Sequence, residues 1–496
     1  MSPTRREVIR FVVQGSVIAG CPMDLALFAA PPARPVVEGE ENAICHQVRD
    51  GRRFDRPPAR ERHDVVIVGG GISGLAAAYY FGDRGYLLLE KDPHFGGNAY
   101  LEEHEGQAYG TGSAFITTDE LPLMGLAREI GLEMLPVDQF DGTLVNGQFT
   151  PDTWGEGAGR LPYPPAVREG FRKFRRAMLD IRIRGREMEL DNQPFSDYMR
   201  DYPPEVKLWW DGFGPSNWGA QSHETSALVG IDAMHWVSPE NGQDSRRAWP
   251  GGNGAISHRL VEILAPKHGE RMRSGATVVA VEPEKDEVHV TYSAGGEVRR
   301  VAAKTVIMAT PKYITARLVA GLPAAQKKAM RQIRYAPYAV CNLIFDRPVF
   351  RGGYDNWCPG NRFTDFIVAD WTIRNRPGYQ PKYNILTCYT PLRENERAAL
   401  LSEDGCRRLA YQVLRDFQKL MPGFDIDPVE VHLFRRGHPM FMSTPGTHTR
   451  VIPAARLPME RVFFANTDSE GPLSTADGAI KQARHAVEWA GKKLAG

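Results

Sequence analysis

The stretch that most constrains this chain runs from His63 to Ala99, HDVVIVGGGISGLAAAYYFGDRGYLLLEKDPHFGGNA. An apolar run, Val65 to Val68 led in by Asp64, breaks off at Gly69, and Gly69, Gly71 and Gly74 follow in GxGxxG spacing. Leu75 to Phe81 has no proline and no β-branched residue, as the start of a helix should, and a second apolar run, Tyr86 to Leu89, stops at Glu90. The pattern predicts a β-α-β unit with an acid at the tip of its second strand. The first glycine permits a tight turn, the second lets backbone approach a pyrophosphate, and the third lets helix pack on strand. The helix start, with Ser73 in its first turn, offers unpaired N–H groups to phosphates, and Glu90 accepts from ribose hydroxyls. The unit therefore predicts dinucleotide binding.

Beyond Glu90 comes a second glycine pair, Gly96-Gly97, which lets the chain pass close to a dinucleotide lying along the first turn. This continuation from acid to Gly-Gly resembles the FAD-binding flavoproteins of the amine oxidase superfamily. That family has Arg after the pair where this chain has Asn98, so one cationic phosphate contact is missing. The resemblance extends over residues 63 to 496. It implies that a turn at Gly110-Thr111-Gly112 runs beside flavin and pyrophosphate. It also implies that Val278 offers backbone hydrogen bonds to adenine, and that Thr310 ends the strand crossing under the cofactor. Near the C-terminus, ERVFFANTDSEGPLSTADGAIKQARHAVEWA reads as strand, turn and helix. The family likeness makes Asp468 the acid of the ribityl-pyrophosphate region and Ser474 to Ala479 the helix entry at the flavin ring. Ser474 stands where the family has Gly.

The expected architecture is α/β. It comprises a doubly wound, glutathione-reductase-type FAD domain (62–118, 246–320 and 456–496) and an inserted α+β substrate domain (119–245 and 321–455). Within the insert, Glu120 to Ile130 has helical spacing and Leu144 to Pro165 reads as loop. Val167 to Arg186 reads as a basic amphipathic helix, with Phe171, Phe174, Met178 and Ile181 on one stripe. Its arginines are a solvated face or, alternatively, a contact for an anionic membrane or redox partner. Trp209, Trp210 and Trp218 are the core of a helical lid or, alternatively, an aromatic wall facing a cationic or apolar substrate.

Charge excludes one partner class: 61 Lys+Arg against 60 Asp+Glu gives no pull toward nucleic acid. No apolar run reaches the length of a membrane span, and six scattered cysteines include no CxxC pair. The start, MSPTRREVIRFVVQGSVIAGC, resembles a twin-arginine export signal over residues 1–21, and Ile18 to Cys21 resembles a lipobox. The expectations are export to the bacterial periplasm and peripheral membrane contact through a lipidated Cys21. Residues 22–61, rich in proline, read as a linker outside the fold.

Within the resembled family a flavin takes a hydride at N5 from a donor C–H, and the protein supplies placement and electrostatics. The implied activity is FAD-dependent oxidation of a small-molecule amine, polyamines included, with His438 as the catalytic candidate by likeness to spermidine-dehydrogenase-like members. The Lys that many family members carry near flavin N5 aligns near Val340, where this chain has none, which favours a dehydrogenase with a separate electron acceptor. The last cysteine, Cys406, lies too early for the family's covalent linkage, so FAD is expected to bind noncovalently. Two alternatives stay open: a C–C desaturase or isomerase of the carotenoid or porphyrin type, and a non-catalytic flavoprotein partner. An apolar tunnel favours the first of these; carboxylates or an aromatic cage near N5 favour an amine.

Overall fold

The computed structural model describes residues 34–239, 242–421, 427–471 and 473–495, so the export signal and the lipobox of residues 1–21 lie outside the described residues. A seven-stranded sheet is built around Glu61–Val68, which runs parallel to both Tyr86–Leu89 and the second half of Glu297–Met308. Met272–Arg273 extends it on one side, and the antiparallel hairpin Ala276–Pro283/Val288–Ala294 on the other. Val462–Phe464 joins by pairing in parallel with Glu297–Met308. Strands covered on both faces need continuous apolar runs rather than alternation; Val65 to Ile67 and Tyr86 to Leu88 are 0% exposed. The helix Ile72–Phe81 packs on one face beside Ala476–Ala495 and Gly254–His268.

A second, eight-stranded sheet has the order Val36–Gly39, Glu430–Phe441, Tyr335–Phe345, Asn384–Pro391, Asp365–Val368, Asp355–Trp357, Gly142–Val145, Gln148–Thr150. Period-two alternation divides its central strands. Ala339, Cys341, Leu343, Leu386 and Cys388 pack toward the helix Glu403–Leu420. Tyr338, Val340, Ile367 and Tyr389 face the other way, toward the first sheet's glycine turns.

Three expectations are corrected. The segment 22–61 is not simply a linker: Val36–Gly39 is a strand parallel to His432–Arg435, and Ala43–Arg49 is a helix whose Val48 packs on the first sheet's core. The reason is an open sheet edge that needs backbone partners. Residues 144–165 are not all loop, because Gly142–Val145 and Gln148–Thr150 form a hairpin. Asn146 and Gly147, with φ of 50° and 78°, make its turn, the Asn-Gly pair such turns prefer. The basic helix spans Pro165–Leu179 and stops short of Arg186. Its stripe is core, with Phe171, Phe174 and Met178 at most 2% exposed. The three tryptophans are core as well, each 1% exposed, and Trp209 and Trp218 donate to Thr143 and Thr225 at 3.0 and 2.8 Å.

Candidate active site

The glycine turns meet as a single cradle. Gly71 and Gly96 form an isolated parallel bridge, and Gly96 N donates to Gly70 O at 2.9 Å. Gly97 has φ +57°, and a Cβ there would stand 3.0 Å from Gly71 Cα. A Cβ on Gly74 would collide with the carbonyl oxygen of Gly69, so helix and strand approach as closely as they do only through glycine. The helix from Ile72 has Gly71 as N-cap and no side-chain cap, which leaves its first N–H groups for an anion. Glu90 is fixed at the strand tip, accepting from Gly70 N at 2.5 Å and Asp92 N at 2.8 Å. Burial raises its pKa against the opposing charge of Lys91. Two of its four lone-pair sites remain for hydroxyl donors. Val278 lies at a register break in its strand, next to residues whose N–H groups bond to Glu90 O and Asp92 O. Thr310 packs on Gly69, with its hydroxyl 3.1 Å from that of Thr315. This bare, positively polarised cradle with an acid at its far end fits a flavin dinucleotide.

Asn98 and Gly112 are drawn together, since the Asn98 carbonyl lies where a Gly112 Cβ would stand. Asn98 Nδ2 is spent on Pro439 O at 2.7 Å. The side chains of Ser73 and Asp468 are both spent within the protein. Ser73 is 4% exposed, and its single proton goes to the Ala465 carbonyl, with Ala479 O 3.2 Å away. It ties the first helix to the end of the strand Val462–Phe464, beside the last helix. Ala479 is buried at that helix contact. Asp468 is 0% exposed and takes its hydrogen bonds from Lys312 Nζ (2.9 Å), Lys312 N (2.6 Å) and Tyr335 Oη (2.5 Å). A carboxylate at this depth must be paired, so it braces the cradle from behind instead of reaching into it. Sequence reasoning passed over Lys312 because nothing local marks a lysine as buried.

His438 is the expected catalytic candidate. Its ring lies against Tyr313 at 4.7 Å. Burial, then the charge of Arg397, lowers its pKa to about 4. Arg397, Glu40 and Arg317 are the charged groups that act on it.

The face above the Gly110–Gly112 turn is acidic and tyrosine-framed. Tyr389 Oη donates to Gly112 O at 2.9 Å, and Asn342 Nδ2 to Gly110 O at 3.2 Å. Beside Tyr389 stand Tyr338, Asp365 and Asp355, with Asp365 paired across to Tyr389 and Asp355 to Ile367. Asp365 accepts from Ser216 Oγ at 2.8 Å and Thr364 Oγ1 at 2.6 Å. Burial nevertheless lifts its pKa to about 7, and that of Asp355 well above the usual carboxylate range, where Asp141 and Asp365 add repulsion. One Asp355 oxygen has no hydrogen-bond partner. Arg246 bonds to Asp141 and to Asp244 and lies over the Phe115 and Tyr354 rings; Arg436, opposite Tyr338 in the register, is a second buried guanidinium on this face. Val340 packs between Tyr338 and Tyr389, and Tyr335–Phe345 has no lysine. These residues come from separate strands with no shared motif; the one signal for them is strand alternation, which says they share a face but not which one.

The flavin-containing amine oxidoreductase model matches residues 72–488, and the chain belongs to that family. It is an FAD-dependent oxidoreductase. Oxidoreductase PigB of Serratia sp. is 24% identical, over 84% of this chain and 73% of that protein. Human amine oxidase [flavin-containing] B is 23% identical, over 86% of each. Among solved structures, cyclohexylamine oxidase from Brevibacterium oxydans aligns with TM-score 0.66 at 18% identity, covering 88% of this chain and 100% of that one. Putrescine oxidase bound to putrescine also gives 0.66 at 18%, covering 86% and 98%. These likenesses agree with the expected α/β fold.

Proposed function

We propose that the chain oxidises small amines, taking a hydride from the carbon beside nitrogen. The observation that supports this is the tyrosine-framed face above Gly112, where the buried acids Asp355 and Asp365 have no ion-pair partner among the described residues, Asp141 and Asp244 being held by Arg246. A buried surplus of carboxylates is costly unless a cation joins it, and tyrosine faces suit an ammonium or alkylammonium. A polyene or porphyrin brings no such charge, which disfavours the C–C alternative. Bound FAD supplies the hydride acceptor. Asp355 and Asp365 draw the ammonium in, the tyrosines orient its chain, and the apolar packing around Val340 excludes water. The neutral amine must form before hydride leaves, and a nearby carboxylate that titrates near neutrality is suited to take that proton.

Anaerobic titration of the holoenzyme with diamines, monoamines, amino acids and polyenes tests the reading. Amines should bleach the flavin band; bleaching by polyenes alone would sink the proposal. The acid also sets a pH dependence. Asp365 is neutral well below about 7 and anionic above it, whereas an alkylammonium with a pKa of ~10.4 stays charged throughout. Amine affinity in the anaerobic half-reaction should therefore tighten from pH 6 to pH 8. Asp365→Asn should bind about tenfold to hundredfold more weakly at pH 8, a loss of ~1.5–3 kcal/mol, with a flat profile. An unchanged profile in the variant would remove Asp365 from binding.

The proposal includes a separate electron acceptor, supported by the absence of lysine from Tyr335–Phe345, where the resemblance aligns the family's lysine near Val340. Reoxidation of the amine-reduced enzyme by air in stopped flow should be slow, and faster with an artificial acceptor. Rapid air oxidation would assign the protein to the oxidases. FAD is proposed to be noncovalent, in keeping with Cys341, Cys358, Cys388 and Cys406 all packing in the core on the far side of the second sheet.

A further inference from the structure

Arg436 stands at the middle of the strand Glu430–Phe441, opposite Tyr338 in the register, and is 7% exposed. Its guanidinium reaches under both glycine turns of the cofactor cradle. It donates to the Thr111 carbonyl, to Thr111 Oγ1 at 3.0 Å and to Gly97 O at 3.2 Å. A Cβ on Gly112 would lie 3.7 Å from its Nη1. Its hydrogen bonds thus all end on neutral oxygens. Glu40 and Asp92 act on it through space, but Asp92 already pairs with Lys91 at 2.8 Å and Glu40 accepts from Gly437 N at 3.1 Å. Burial lowers its pKa. This guanidinium is therefore buried with no carboxylate on its fork, Glu40 and Asp92 offsetting it only through space, and it lies at the turn where, by the family resemblance, Asn98 stands in place of a cation.

We propose that Arg436 supplies, from the substrate-domain sheet, the positive charge that position 98 lacks. It is a positioning residue acting through Gly97 and Thr111: it fixes the spacing of the two turns and sets a positive potential where the anionic dinucleotide lies. The proposal rests on the FAD assignment and not on the amine reading, so a failed amine titration leaves it standing.

The test is charge relocation in purified protein, read by FAD affinity in re-addition titrations and by the midpoint potential of the bound flavin. Arg436→Gln should weaken FAD binding tenfold or more and make the potential more negative, whereas Arg436→Lys should retain most of both. Returning the charge at the family's position, in Asn98→Arg with Arg436→Gln, should recover affinity to within about threefold and move the potential back. Wild-type affinity and potential in Arg436→Gln would overturn the proposal. So would weakened binding with an unchanged potential and no recovery in the double variant, the result expected of a purely structural tie. If the single variant does not fold, the double variant decides alone: soluble and FAD-loaded supports relocation, insoluble or empty overturns it.

Discussion

Lys312→Met should destabilise the protein by about 3–5 kcal/mol, the usual cost of stranding one member of a buried ion pair. Lys312 and Asp468 are both 0% exposed, with Nζ 2.9 Å from Oδ1. The lysine also donates to Ser469 and lies 5.1 Å over the Phe464 ring. Removing it leaves a carboxylate with two remaining donors, Lys312 N and Tyr335 Oη, and no cation. Asp468 must then either protonate or pull its loop apart, and that loop leads into the helix Ala476–Ala495 behind the cofactor cradle. FAD occupancy should fall together with the urea midpoint. Adding Asp468→Asn should recover much of the loss, because the amide keeps an acceptor for the backbone N–H and tyrosine without the stranded charge. Urea unfolding of the three proteins measures this; a single variant within about 1 kcal/mol of wild type would show that the pair is worth little here.

Gly74→Ala should abolish FAD binding and destabilise the fold, although alanine is the better helix former by about 1 kcal/mol. The added methyl meets the Gly69 carbonyl oxygen inside van der Waals contact and lies 3.5 Å from Ala309 Cβ. Neither the backbone turn nor the strand end can give way cheaply, so the helix start moves and its N–H groups lose their aim. Overpacking of this kind costs about 1–3 kcal/mol. Gly71→Ala is the contrast. Its methyl has no neighbour nearer than 3.8 Å, so the apoprotein should melt as wild type does. The methyl stands, however, where backbone must approach a pyrophosphate. Flavin-to-protein absorbance ratios and thermal melting separate the two variants: Gly74→Ala loses both properties, Gly71→Ala only the first. A flavin-replete Gly74→Ala would overturn the account of the cradle.

What could be read in the sequence is what short-range pattern determines. The turn from Gly69 to Gly74, the acid at Glu90 and the pair at Gly96-Gly97 lie within one β-α-β unit, where local geometry dictates residue type. Side-chain partnerships between distant segments left no such mark. Ser73 and Asp468 stand where binding residues belong, and their polar atoms are spent on Ala465 and Lys312. Asp365 and Asp355 carry no local signal; only strand pairing puts them beside Tyr389 and Ile367. The hairpin at Asn146-Gly147 did carry its signal, masked by the glycines and prolines around it. His438 was assigned by likeness, and its neighbour two positions earlier, Arg436, is the one that touches the cradle loops.

The strand Val36–Gly39 seats beside His432–Arg435, so two ends of the message meet in one edge. On a ribosome the early segment emerges first and has no seat until nearly the whole chain has been made. Everything between, the cofactor turns included, can collapse while this piece waits, because pairing across such a separation is the slowest contact to form. Once home it lays Glu40 on Gly437 and Glu41 on Asp92, across the rim of the cradle. Its docking is thus the last act of assembly, and a chain cut short of its final strands is left with a loose beginning, a ready handle for proteolytic quality control.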